Sequence, residues 1–228
     1  MAAYPLWLFL YKARGGQPPL LLMEVCMLVL CSNGLSGEAL MERVRSRTTG
    51  CQTAALVVTA DNLYKDRNYH VPRCTAELAA LGLSVDTFDL DRQPAKALRG
   101  YDVVEFIGGN PFYLLQAIRD SRAEGVLRDI ANDRVLIGWS AAAFVFGPTL
   151  ELVNRYSPEM NAPGLTDLRG LALTDTEVLP HYSKFLKRFD RFEETCQAYE
   201  RERGVQVIRL DDGDGVLIDG ERIDICRA

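Results

Sequence analysis

Short aliphatic runs alternate with amphipathic stretches along most of this chain. The runs predict five strands, at residues 25–30, 54–60, 84–90, 102–107 and from 135 onward. The stretches between them predict helices near residues 37–47, 71–81, 112–120 and 123–132, with a helical turn at 94–98. Strands that alternate with helices are joined by right-handed crossovers. The pattern therefore predicts a three-layer α/β fold, a mostly parallel sheet with helices on both faces.

The pattern changes in the last third of the chain. Residues 171–179 and 205–210 predict two strands that flank a charged helix at 185–203. Residues 215–225 predict a β-hairpin whose turn is Asp219-Gly220. Since the sequence shows no internal repeat and no linker, we expect residues 25–228 to form a single domain.

Residues 1–24 do not fit this alternation. The apolar run at 4–11 is followed by Lys12 and Arg14, and then by a segment rich in glycine and proline. This run is too short to cross a bilayer and lacks the basic start of a signal peptide. We expect a poorly ordered N-terminal extension and no role at a membrane.

Composition narrows the class of protein. The 228 residues are 48% hydrophobic and 25% charged, as in ordinary soluble domains, and the formal net charge is -5. An acidic chain without a long basic stripe argues against a nucleic-acid partner. The six cysteines are scattered, with no Cys-x-x-Cys pair and no histidine at metal-ligand spacing. We therefore expect a cytoplasmic protein with no metal and no cofactor.

The most informative segment is 135–143, Val-Leu-Ile-Gly-Trp-Ser-Ala-Ala-Ala. It predicts a buried strand that turns sharply into a helix at Ser140. A serine at such a turn exposes its hydroxyl beside the free N–H groups of the helix start, as in a nucleophile elbow. A plain strand-to-helix turn without chemistry is the alternative interpretation.

A serine mechanism needs a base, and the chain has only two histidines, His70 and His181. His181 follows a short apolar strand, the position where catalytic side chains of α/β sheets gather. His70 lies in a polar segment that leads into a helix, which is typical of a surface or capping residue. His181 is therefore the candidate base.

Gly108 and Gly109 follow another predicted strand. Their backbone N–H groups, together with that of Ala141, could form an oxyanion hole for a tetrahedral intermediate. The alternative is again a strand-to-helix turn. Because the carboxyl ends of parallel strands share one edge, we expect these glycines, Ser140 and His181 to converge on one crevice.

Three motifs in this order, Gly-Gly-Asn at 108–110, Gly-Trp-Ser-Ala at 138–141 and Pro-His-Tyr at 180–182, resemble the peptidase E family of serine peptidases. The resemblance is strongest over residues 102–182. It implies a fold similar to the class I glutamine amidotransferases, with Ser140 as nucleophile and His181 as general base. Peptide hydrolysis would then pass through an acyl-enzyme.

Two positions depart from the family pattern. Ala142 replaces a glycine at the tightest part of the elbow. Asn154-Arg155 stands where the family has an Asn-Asp pair that supplies the acid of the triad, and an arginine cannot orient an imidazolium. Glu151 is our first choice for the acid. The alternatives are Glu159, Asp167 and Asp175.

The resemblance implies small peptide substrates, dipeptides with N-terminal aspartate, whose carboxylate requires a cation. Basic residues from Lys184 to Arg191 follow His181, and we expect Asn110, Arg188 and Arg191 to bind substrate. Two alternatives stay open: a cyanophycinase-like hydrolase of β-aspartyl peptides, and a non-catalytic binding domain on the same fold. A homodimer is an open alternative to a monomer.

Overall fold

The computed structural model describes residues 26–228, so the extension expected at residues 1–24 lies outside the described residues. The strands are β1 (Met27–Cys31), β2 (Thr53–Val57), β3 (Ser84–Phe88), β4 (Val103–Phe106), β5 (Val135–Trp139), β6 (Glu177–Leu179), β7 (Val207–Arg209), β8 (Gly215–Asp219) and β9 (Arg222–Cys226). The α-helices are α1 (Glu38–Arg47), α2 (Val71–Ala80), α3 (Pro111–Asp120), α4 (Glu124–Asp133), α5 (Ala141–Phe146), α6 (Glu151–Tyr156), α7 (Tyr182–Arg188) and α8 (Phe192–Arg203). None of the helices in this part of the chain is long and apolar enough to cross a membrane.

The central sheet has the strand order β3-β2-β4-β5-β1-β8-β9. The first five of these strands are parallel, and β8 and β9 form an antiparallel hairpin at one edge. The predicted α/β fold with a mostly parallel sheet and a C-terminal hairpin is confirmed. One detail differs: Asp219 still belongs to β8, so the loop is Gly220-Glu221, and Gly220 has a φ of 59°.

The sheet separates two apolar cores. In β1, Leu28 and Leu30 belong to one core, whereas Met27, Val29 and Cys31 belong to the other. This alternation follows from the period of two in a strand, which sends successive side chains to opposite faces. The core that contains Met27 also holds buried residues of α1 and α2, and the other holds residues of α3 to α6.

The segment from 171 to 210 departs from the prediction. Only residues 177–179 of the predicted strand 171–179 form β6, which pairs in parallel with β7 outside the central sheet. The helix predicted at 185–203 is two helices, α7 and α8, and Arg191 between them has a φ of 50°. The break allows Phe189 and Phe192 to pack together against Tyr156.

Candidate active site

Ser140 occupies a strained turn between β5 and α5. Its φ of 53° and ψ of -108° are uncommon for any residue with a side chain, and such strain persists only where the surroundings enforce it. Its backbone N–H donates a 3.0 Å hydrogen bond to the carbonyl of Cys31 at the end of β1. A Cβ on Gly138 would lie 2.6 Å from the Phe146 ring, so glycine is needed where the strand meets the helix.

The structure accommodates the side chain of Ala142, which replaces the family's glycine at the elbow. Its side chain is completely buried in the core, and the residue lies within α5. The methyl group therefore packs among apolar neighbours without changing the turn at Ser140.

His181 links two side chains that are distant in the sequence. Its Nε2 lies 3.1 Å from the hydroxyl oxygen of Ser140, and its Nδ1 lies 2.7 Å from Oδ1 of Asp212. His181 itself has a left-handed backbone, with φ 58° and ψ 30°, at the start of α7. The three side chains have the connectivity of a serine nucleophile, a general base and an acid that orients the base.

The structure does not bring Glu151, our first choice for the acid, to His181. Glu151 begins α6, and its carboxylate faces Arg203 at 3.5 Å. Asp212 contacts His181 instead, because the loop after β7 lies beside the loop after β6. The carboxylate that contacts His181 is therefore that of Asp212, and Glu151 does not contact it.

The other carboxylates that we considered also have different partners. Glu159 accepts a hydrogen bond from Ser157, Asp167 is bound by Arg169 through two nitrogens, and Asp175 is exposed. Arg155 stands where the family pattern has an aspartate. It forms an ion pair of 2.7 Å with Glu202.

Asp212 is held as a carboxylate by three hydrogen-bond donors. Burial favours the neutral acid and raises its pKa, but hydrogen bonds from Lys184, His181 and Ser32 outweigh burial, and the net pKa is lowered. The Lys184 ammonium contacts Oδ2, whereas Ser32 donates to Oδ1 at 3.0 Å. Lys184, part of the basic cluster noted in the sequence, is thus engaged with Asp212.

Gly108 and Gly109 lie at the positions expected of an oxyanion hole. Both line a cleft that also contains Ser140 and His181. A Cβ on Gly108 would lie 2.6 Å from the Trp139 ring and 3.0 Å from Cβ of Ser140. Gly109 has a φ of 154°, and a Cβ there would lie 2.3 Å from the Ala60 carbonyl oxygen. Both positions therefore require glycine, which keeps their backbone close to the nucleophile.

Ala141 supplies a further donor near Ser140. It is the first residue of α5, where backbone N–H groups have no acceptor within the helix. Of the three residues expected to form the oxyanion hole, Ala141 directly follows Ser140, Gly108 packs against it, and Gly109 lines the same cleft.

Of the three residues expected to bind substrate, Arg188 lines the cleft, which has a volume of about 540 Å³. Asn110 instead caps α3, accepting from two backbone N–H groups and donating to the Met160 carbonyl. Arg191 is exposed and paired with Glu194. The amide and guanidinium groups of these two residues are thus engaged in local structure.

His70 is closer to the chemistry than the sequence suggested. It is half-buried, lines the cleft and packs edge-on against Trp139, with ring centroids 5.2 Å apart. Its side chain makes no capping hydrogen bond to α2. Burial lowers its pKa, and the nearby charge of Arg73 lowers it further, so the ring is neutral near pH 7.

The chain is similar to known peptidases. The family model "Peptidase family S51" matches residues 28–226. The chain is 29% identical over 137 residues to Lmo0363, an uncharacterized peptidase of Listeria monocytogenes, a match that covers 58% of this chain and 66% of the relative. The chain thus spans just under two thirds of that relative's length. It is 27% identical over 165 residues to peptidase E of Escherichia coli O6:K15:H31, with 70% of each chain covered.

Solved structures agree with the sequence comparison. A crystal structure of a putative peptidase E protein from Listeria monocytogenes EGD-e aligns with a TM-score of 0.71 at 25% identity, over 89% of this chain and 98% of the other. A peptidase from an acI-B1 actinobacterium shares the fold, with a TM-score of 0.66 at 17% identity, over 89% of this chain and 88% of that one. The match of the family model over nearly all described residues places this chain in peptidase family S51, the peptidase E family of serine peptidases.

Proposed function

We propose that this protein hydrolyses short peptides through a Ser140–His181–Asp212 triad. The observation that carries the proposal is the placement of the His181 ring, which contacts Ser140 through one nitrogen and Asp212 through the other. A cleft of about 540 Å³ suits a ligand the size of a dipeptide.

The geometry supports a two-step mechanism. His181 Nε2 takes the proton of Ser140 as its oxygen attacks the scissile carbonyl, and Asp212 stabilises the imidazolium that forms. Backbone N–H groups of Gly108, Gly109 and Ala141 receive the developing oxyanion. The imidazolium then protonates the leaving amine, and a water activated by the same histidine hydrolyses the acyl-enzyme.

We further propose a preference for an acidic residue on the N-terminal side of the cleaved bond. Lys184 is bound to Asp212, so Arg188 is the better candidate in the cleft for a substrate carboxylate. A guanidinium can bind a carboxylate through two parallel hydrogen bonds.

A dipeptide panel tests this substrate preference. We expect Asp-Leu to be cleaved with a kcat/KM at least about tenfold above that of Asn-Leu, since the amide cannot replace a charged partner of arginine. Arg188→Gln should remove the difference, and Arg191→Gln should keep it. Equal rates for Asp-Leu and Asn-Leu would contradict acidic specificity, and faster cleavage of β-aspartyl-leucine would assign the protein to the cyanophycinase-like class instead.

A fluorophosphonate probe separates catalysis from simple binding. Such a probe should label wild-type protein at Ser140 and leave Ser140→Ala unlabelled. The same variant should lose hydrolysis by several orders of magnitude, because loss of the nucleophile removes the acyl-enzyme route. A wild-type protein that is not labelled and cleaves no dipeptide would be a binding domain.

A further inference from the structure

Glu105 is a charged residue in the middle of an apolar layer. It lies on β4 and is completely buried, and its neighbours on the same face, Val103 and Ile107, belong to the core between the sheet and α2. Neither oxygen of its carboxylate has a hydrogen-bond partner in the described structure. A buried carboxylate without partners is strongly unfavourable, and burial accordingly raises the pKa of Glu105 to about 8. Glu105 therefore either keeps its proton or gives it up to a cation.

Two further ligand-type side chains from α2 face Glu105. Cys74 and Glu77 are three residues apart, which puts them on the same side of the helix. One ligand atom from each of Cys74, Glu77 and Glu105 lies within 4.8 Å of the others. Cys74 is completely buried like Glu105, and Glu77 is partly buried.

The charges around this cluster leave room for a cation. The Arg73 guanidinium is bound to one oxygen of Glu77, and the other oxygen accepts the backbone N–H of Leu35 at 3.0 Å. With Cys74 as a thiolate and Glu105 as a carboxylate, the three ligands carry three negative charges. Arg73 neutralises one of them, and a divalent cation would neutralise the other two.

We propose that Cys74, Glu77 and Glu105 bind one Zn²⁺ ion beneath the catalytic cleft. A thiolate with two carboxylates suits Zn²⁺, which accepts sulfur and oxygen ligands in a tetrahedral site, whereas Mg²⁺ and Ca²⁺ prefer oxygen alone. Binding replaces two protons, the thiol proton of Cys74 and the carboxyl proton of Glu105, which both leave to solvent, and water fills the fourth position. This site is separate from the triad and revises our expectation from the sequence that the chain holds no metal.

The site would brace the loop that supports the triad. A Cβ on Gly34 would lie 2.9 Å from Oε2 of Glu77, so this loop packs directly on the cluster. The same loop carries Ser32, which contacts Asp212, and Asn33, which lines the cleft. A bound ion would therefore tie α2, which carries Cys74 and Glu77, to Glu105 on β4, and would support the loop after β1 through its packing on Glu77.

The test uses the full chain, stripped with a chelator and titrated with Zn²⁺ by calorimetry. We expect one equivalent to bind, and a Tm that rises by about 5–10 °C when free Zn²⁺ is a hundredfold above Kd. With Co²⁺ as the probe, a thiolate-to-cobalt charge-transfer band should appear in the near-ultraviolet spectrum. Glu105→Gln and Cys74→Ser, both close in size to the native residue, should each weaken Zn²⁺ binding at least about a hundredfold.

A matched control uses a cysteine outside the cluster. Cys226, in β9, is half-buried, and Cys226→Ser should bind Zn²⁺ with unchanged stoichiometry and Kd. Absence of one-equivalent binding by the wild-type chain, or unchanged binding by Glu105→Gln and Cys74→Ser, would overturn the proposal. If Glu105→Gln fails to fold, the charge-transfer band of the Co²⁺-loaded protein tests the proposal instead. Cys74→Ser must lose this band, and Cys226→Ser must keep it.

Discussion

The hydroxyl of Ser32 lies 3.0 Å from Oδ1 of Asp212, although the two residues are 180 positions apart in the chain. The same hydroxyl accepts the backbone N–H of His181 at 2.9 Å. Ser32 itself is completely buried, and both contacts are partly buried. Ser32 therefore joins the loop after β1 to the base and the acid of the proposed triad, and we interpret it as a positioning residue.

Replacement of Ser32 by alanine tests this role. A hydrogen bond to a charged group stabilises by about 1.5–3 kcal/mol, so Ser32→Ala should lower kcat about tenfold to a hundredfold and leave KM nearly unchanged. Ser36→Ala is the matched control, since Ser36 is exposed in the same loop and contacts only Asn33 among the hydrogen bonds described. Steady-state kinetics on a dipeptide decides, and an equal effect of both variants would contradict the assignment.

Asp212→Asn should be far more damaging. The amide can still contact Nδ1 of His181 but cannot stabilise the imidazolium, and a comparable change in the serine protease template costs about 10⁴ in kcat. Glu151→Gln should be nearly neutral, because Glu151 faces Arg203 instead. Measurement of kcat for both variants checks the acid. A silent Asp212→Asn would mean that the enzyme works with serine and histidine alone.

The sequence could place Ser140 and His181 near each other because each comes shortly after an aliphatic run, where the end of a strand can be identified. It missed Asp212 because the family pattern directed the search to residues 151–175. The signal was present: Leu210-Asp211-Asp212-Gly213 follows a predicted strand, and that strand pairs in parallel with the one before His181. The rule that the ends of parallel strands meet at one edge would have brought Asp212 to His181.

Other features depended on contacts that no local pattern encodes. No proline or glycine occurs in residues 185–203, so the break at Arg191 could not be predicted from the sequence. It arises from packing of aromatic rings, among them Phe189 and Phe192. The place of His70 in the cleft likewise depends on its contact with Trp139, which is 69 positions further along the chain.

The two histidines should behave differently when replaced by alanine. His181→Ala removes the proposed base and should lower kcat by several orders of magnitude. His70 lines the cleft as a neutral ring without touching Ser140, so His70→Ala should raise KM severalfold and change kcat little. Kinetics over a range of substrate concentrations separates the two effects. A loss of kcat at His70 as large as that at His181 would show that the base is misassigned.

Lys184 should set the pH dependence of the reaction. Its ammonium contacts Oδ2 of Asp212 and is the largest of the influences that lower the pKa of that carboxyl against the effect of burial. Without this positive charge, the pKa of Asp212 rises toward its ordinary value, so the carboxylate that orients His181 is protonated at a higher pH. Lys184→Gln should therefore move the acid limb of the pH profile of kcat/KM to higher pH.

The size of this shift is limited by solvent. The Lys184 side chain is 69% exposed, so water and salt screen its charge, and we expect a shift below about one pH unit. Lys187→Gln, which removes the same charge from an exposed position on the same helix, should leave the limb in place. Added salt should move the wild-type limb in the same direction as Lys184→Gln, because screening weakens the attraction between the ammonium and the Asp212 carboxylate. A limb that stays in place or moves to lower pH in Lys184→Gln would show that this ammonium does not influence the base.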